Sequence, residues 1–237
     1  YKDVTDPVLR ETIKDFVINQ QFRRDIFVRG APRLDKRKML DAMSQHRFVL
    51  SRARAQCSES MKVPAGSVKL SKGHFKLIDA LADGPRSIRD LMSNPEIRAM
   101  GDVADVVRSI AVLVGVGHIS PAVSQAAETA ARKSSRGFND VVLARMLKGD
   151  SLSNLASPVL GNTVSTDQME RFFLAALRHN RKDMDAYAWE IISKRGESLA
   201  KQGKTLKTPE ENQAELKRMA EHFQKNRLPV FTQLGIV

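Results

Sequence analysis

Between Phe75 and Pro121 the chain is cut into short helical pieces by its own helix breakers, and few folds accept that rhythm. Phe75, Leu77, Ile78 and Leu81 recur at helical spacing up to Asp83-Gly84-Pro85. Ser87 then caps a second short helix through Leu91 and Met92, closed by Ser93-Asn94-Pro95. Asp102 caps a third, which ends at Gly115 or Gly117. Proline lacks an N–H and clashes with the preceding turn, while Ser or Asp accepts from the free amides of a helix start. His118-Ile119-Ser120-Pro121 follows as a short strand. Three helices and then a strand is the order of a winged helix, so residues 73–123 are expected to form a winged-helix-like unit.

The segments on either side have other rhythms. Asp6-Pro7 pairs an N-cap with proline at the first helical position, and Leu9, Ile13, Phe16 and Val17 then mark a helix with one buried face. Residues 22–29 are strand-like, with Arg23, Asp25, Phe27 and Arg29 on one face and Arg24, Ile26 and Val28 on the other. A helix after Asp35 would bury Met39, Leu40 and Met43, and residues 46–53 and 66–71 read as further strands. Residues 1–72 are therefore expected to form a small N-terminal α+β unit. Residues 122–136 are rich in Ala and Ser, as a linker or an exposed helix would be. Beyond them residues 124–237 read as mainly helical. Ser165-x-x-Gln168 resembles a capping box ahead of Met169, Phe172, Phe173, Ala176 and Leu177, and Thr208-Pro209-Glu210-Glu211 opens a last long helix. Aromatic residues make up only 5% of the chain, so the core rests on Leu, Ile, Val, Met and Ala. The fold class expected is α+β, predominantly helical.

Chemistry is scarce along the sequence. Cys57 is the single cysteine among 237 residues, which excludes an internal disulfide and a Cys-based metal site and fits a reducing cytoplasm. The five histidines, His46, His74, His118, His179 and His222, include no i, i+4 pair and are expected at or near the surface. No serine sits in a nucleophile elbow. Val112-Leu113-Val114-Gly115-Val116-Gly117 imitates a cofactor-binding glycine turn, yet it follows a helical pattern and reads as a helix C-cap. No apolar run approaches the ~18 residues of a membrane span. Catalytic, cofactor and metal residues are therefore all expected to be absent.

The formal charge of +12 favours an acidic partner. A winged helix invites DNA as that partner, but the wheel from Asp102 to Val114 opposes it. Val103, Ala104, Val106, Val107, Ile110, Ala111, Leu113 and Val114 share the inner face, leaving Asp102, Asp105, Arg108, Ser109 and Val112 outside. Aspartates on that face repel phosphates, where a recognition helix offers Arg, Lys, Asn or Gln. Basic residues crowd the N-terminal unit instead: Arg23, Arg24, Arg29, Arg33, Lys36, Arg37, Lys38, Arg47, Arg52 and Arg54. They suit either a solvated face with local ion pairs or an interface to an acidic surface.

Tyr1, Asp15-Phe16, Phe22-Arg23 and Ile26-Phe27-Val28-Arg29 resemble the signature of the methyltransferase regulatory domain. In that family an aromatic-acidic helix leads into a Phe-Arg strand, with Gln in many members where this chain has Arg24. The rest, including Leu155-Ala156-Ser157-Pro158-Val159, resembles the C-terminal parts of the same bacterial proteins. Some of these are protein lysine methyltransferases. The resemblance implies a non-catalytic regulatory or substrate-recognition region, cut away from a class I domain that would bind S-adenosylmethionine. The start at Tyr1, not Met, fits such an excised piece. Its expected partners are that catalytic domain and a protein substrate, with Phe22, Arg23, Phe27 and Arg29 as the contact residues. The alternative is a winged-helix nucleic-acid-binding protein.

Overall fold

A computed structural model describes residues 3–22, 28–30, 32–63 and 66–237. It divides into two units, Tyr1–Asp35 and Lys36–Val237, and its architecture is the predominantly helical α+β class expected.

The first unit holds helix α1, Pro7–Val17. Asp6 caps it, its carboxylate accepting from Val8 N at 2.8 Å and Leu9 N at 3.2 Å. The strand expected over 22–29 has its middle, residues 23–27, outside the described residues. Phe22 and Val28 lie in neither helix nor strand, and Arg29 lies in a turn.

The second unit begins with α2 (Lys36–Ser44), β1 (Arg47–Leu50), the hairpin β2 (Ser60–Val63) and β3 (Gly66–Lys69), and α3 (Lys72–Ala80). Then come β4 (Arg86–Ser87), α4 (Ile88–Ser93), α5 (Pro95–Arg98), α6 (Val103–Gly115) and β5 (Ile119–Ala122). Helix α2 starts where expected, but Met39 is exposed and Leu40 and Met43 are only half-buried. The caps read from sequence form as hydrogen bonds. Ser87 Oγ accepts from Asp90 N at 3.0 Å while Asp90 accepts from Ser87 N at 2.9 Å. Asp102 and Asp105 close the same reciprocal box at 3.0 Å each way, so both aspartates serve their own helix start. The Gly115-Val116-Gly117 stretch ends α6, with Gly117 at φ +72° and its N–H on Val114 O. That left-handed position favours glycine, and the segment is a C-cap.

Strand β1 is central in the sheet order β4-β1-β5 and runs antiparallel to both neighbours. Its side chains alternate, as a strand's must. Leu50 joins a core with Leu77, Ile78, Leu91, Val106, Ile110 and Leu113. Val49 joins a second core with Phe172, Phe173, Phe223 and Phe231. His118, expected near the surface, is fully buried beside the start of β5, because that strand is covered by the helices it packs on.

The second core is built by α7 (Gln125–Leu147), α8 (Gln168–Arg178), α9 (Met184–Lys194), α10 (Pro209–Asn226) and α11 (Leu228–Gln233). Two hairpins interrupt them: β6 (Asn154–Ser157) with β7 (Asn162–Ser165), and β8 (Ala200–Lys201) with β9 (Lys204–Thr205). From Gln125 onward the Ala- and Ser-rich stretch is helix, the first half of α7. Buried Asn139 of α7 docks the hairpin, donating to Ala156 O at 3.0 Å and accepting from Ala156 N at 2.7 Å. Ser165 does not cap α8, because it ends β7. Asp167 takes that role, accepting from Glu170 N at 2.8 Å. Thr208 and Glu211 form the expected box at the start of α10.

Candidate docking surface

Helix α1 buries none of its residues. Leu9, Ile13, Phe16 and Val17 do share a face, as their spacing requires, but Leu9 is 52%, Phe16 82% and Val17 78% exposed, and Ile13 is half-buried. The sequence expectation of a buried face is corrected here. Periodicity reports that an apolar stripe wants a cover, and cannot say that the cover lies in the same chain. Ile18, Phe22 and Val28, outside the helix, are exposed as well. A concentration of exposed large apolar side chains is a feature of interaction surfaces.

Of the four contact residues expected from the sequence, Phe22 is 84% exposed and Arg29 is exposed. Arg23 and Phe27 lie outside the described residues. The residues that periodicity had assigned to a core, Leu9, Phe16 and Val17, belong with Phe22 on the candidate surface. Charge flanks it: Lys14 pairs with Glu11 at 3.4 Å on the helix.

Other parts of the basic cluster are committed to the fold. Arg47 Nη1 meets the buried Glu128 carboxylate at 2.8 Å and donates to Val123 O at 2.9 Å. Arg54 pairs with Asp79 and stacks on Phe75, its guanidinium 4.9 Å from the ring centroid. Cys57 is buried, which pushes its thiol up from the ordinary value. Burial likewise pushes the His118 imidazole down, and its Nδ1 has no partner among the described residues. Among those residues no cluster of His, Cys, Asp and Glu is placed to hold a metal ion. No helix among them is long and apolar enough to cross a membrane.

Comparison with known proteins bears on the same segment. The chain is 34% identical over 234 residues to an uncharacterized protein of Synechocystis sp., covering 98% of this chain and 46% of that protein. It thus spans about half the length of this relative. No solved structure matches it. Residues 1–29, which hold α1 and Phe22, match the family model described as "Predicted methyltransferase regulatory domain". The similarity to that family model is confined to these 29 residues.

Proposed function

We propose that this chain is a non-catalytic regulatory or substrate-recognition region of a bacterial S-adenosylmethionine-dependent methyltransferase, working through surface contacts. One coincidence carries the reading. The segment that bears the family signature holds the most exposed large apolar side chains among the described residues, Phe22 at 84%, Phe16 at 82% and Val17 at 78%. Leu9, Phe16, Val17 and Phe22 dock on the class I catalytic domain, which holds the methyl donor. Burying such side chains stabilises an interface by roughly 1.5–3 kcal/mol each. An accessory region anchored this way accelerates methyl transfer by holding the acceptor protein or the catalytic domain in a productive orientation.

The test is calorimetry of this chain against the S-adenosylmethionine-binding domain of its parent protein. Binding that is lost in Phe16→Asp supports the reading, and binding unaffected by that change sinks it. A second titration, with S-adenosylmethionine and this chain alone, should give no heat. Saturable heat there would show that the chain has a donor site of its own. Nucleic acid is separated from these outcomes by salt: phosphate contacts give an affinity that falls steeply and log-linearly with ionic strength.

A further inference from the structure

Buried arginines normally face a carboxylate, because a guanidinium stays charged and an unpaired charge is costly away from water. Arg171 on α8 does not. It is only 8% exposed, and no ion pair to it is found among the described residues. Its Nη1 donates to the backbone oxygen of Thr166 and lies 3.5 Å from that residue's hydroxyl. Its Nε has no partner, and no hydrogen bond from Nη2 is found among the described residues. The acids nearest in sequence are otherwise engaged. Asp167 caps α8, while Glu170 closes the same box at 3.1 Å and pairs with Arg227. Burial pushes the Arg171 guanidinium down from its ordinary value, and the nearby charges of Asp167 and Glu170, neither within ion-pair distance, only partly oppose that.

Elsewhere in this chain the Nε–Nη2 edge grips a carboxylate. Arg181 holds Asp183 that way, at 2.8 and 2.6 Å. Arg218 presents the same edge to Glu215, with Nε 3.1 Å from both oxygens. For Arg171 no partner of the equivalent edge is found among the described residues, and the residue lines an open cleft of about 410 Å³. Helices α7 and α9 end and α8 begins around that cleft, with Met146, Ser151, Gln168 and Arg195 among its lining. Arg195 donates to Met146 O and Leu147 O at 3.1 and 2.9 Å, which places a second guanidinium there.

We propose that this cleft binds a carboxylate, with Arg171 as the principal ligand-binding residue and Arg195 beside it. The planar fork of a guanidinium matches a carboxylate's two oxygens. A single negative charge suits the site better than a phosphate dianion, because Asp150 and Glu197 also line the cleft and repel a second charge. Nη2 meets the first oxygen. Nε is sealed from water in this conformation, so a small outward turn of the guanidinium completes the fork. The volume falls at the small end of ligand sites, roughly 300–1,000 Å³. The source is therefore a small free acid or the terminal carboxylate of a peptide. The site is independent of the docking surface on α1.

The experiment is thermal unfolding of this chain with sodium acetate against sodium chloride at matched ionic strength. Acetate should raise Tm saturably where chloride does not, since a ligand of the folded state stabilises by mass action. Arg171→Met should lose that rise, and without acetate it should melt no lower than the parent, because it removes an unpaired charge. Arg171→Lys keeps the charge without the fork and should respond less than the parent. A tripeptide with a free C terminus outperforming acetate, and losing its effect when amidated, assigns the site to a peptide end; equal effects assign it to a free acid. Should Arg171→Met fail to fold, the Arg171 Nε–H resonance of the parent is followed by NMR. No acetate-dependent shift there overturns the proposal, as does phosphate acting more strongly than acetate, or an acetate response that survives in Arg171→Met.

Discussion

Helices α1 and α8 are both 11 residues long, both capped by an aspartate, and both strongly two-faced. Yet α8 buries Phe172, Phe173, Leu174, Ala175 and Ala176, whereas α1 buries nothing. The difference lies outside either helix. Helix α8 meets α7, α9 and α10 in the same unit, and they fill its apolar face. An amphipathic helix states a demand for apolar cover. Whether that demand is met within the chain is a separate fact: it is for α8, and α1 has no buried residue.

That contrast can be broken most decisively in the core. Phe172→Ala should cost about 3–5 kcal/mol of stability by denaturant unfolding, since it leaves a cavity in a close-packed core. Phe16→Ala on α1 should change stability by less than about 0.5 kcal/mol. A comparable loss from both would mean that α1 is core, and the docking surface would not exist. The same Phe16→Ala should instead weaken association with the catalytic domain by about 2 kcal/mol, as for a central interface aromatic, which is roughly thirtyfold in Kd. Caps sharpen the picture at a smaller scale. Thr208→Ala should lower stability by about 1 kcal/mol through the lost bond to Glu211 N. Asp6→Ala should reduce helical circular dichroism while leaving the unfolding midpoint in place.

The smallest effect is one of pH. Hydrogen bonds from Arg218 and then Lys201 hold the Glu215 carboxyl at about 2, below its unfolded value of about 4.3. A depressed carboxyl pKa contributes stability that is complete above the unfolded value and lost as pH falls toward the folded one. The second unit should therefore lose stability between about pH 4.3 and 2, and Glu215→Gln should flatten that limb of the curve. Arg218 and Lys201 are more than half exposed, so solvent screens the pairs and the change should be small. An unchanged acid limb in Glu215→Gln would remove these pairs from the account.

Much of the second unit was legible because its signals are local. Ser87, Asp102 and Thr208 each cap a helix through atoms two to four residues away, and the prolines and glycines near residues 84, 95 and 117 mark breaks that any tertiary context would respect. The α8 cap was misassigned to Ser165 by two residues, since Ser165 and Asp167 both carry a capping oxygen and only the β6–β7 hairpin excludes the first. That hairpin itself was unread. Its partner for docking is Asn139, and no spacing rule joins residue 139 to residue 156. Arg171 was invisible for a similar reason, since an arginine in an amphipathic helix looks like a solvent-facing residue until neighbours close over it.

Taken alone, the residues determined the predominantly helical α+β class, the starts of α1, α4, α6 and α10, and a resemblance to a known family at the N-terminal end. Only the tertiary structure decided which apolar faces are filled, that β1 lies between β4 and β5, and that Arg171 is buried with no ion pair among the described residues. Backbone hydrogen bonds and caps are satisfied within a turn or two of the chain, so sequence encodes them directly. Burial and charge pairing join residues far apart in sequence, and they exist only once the elements have packed.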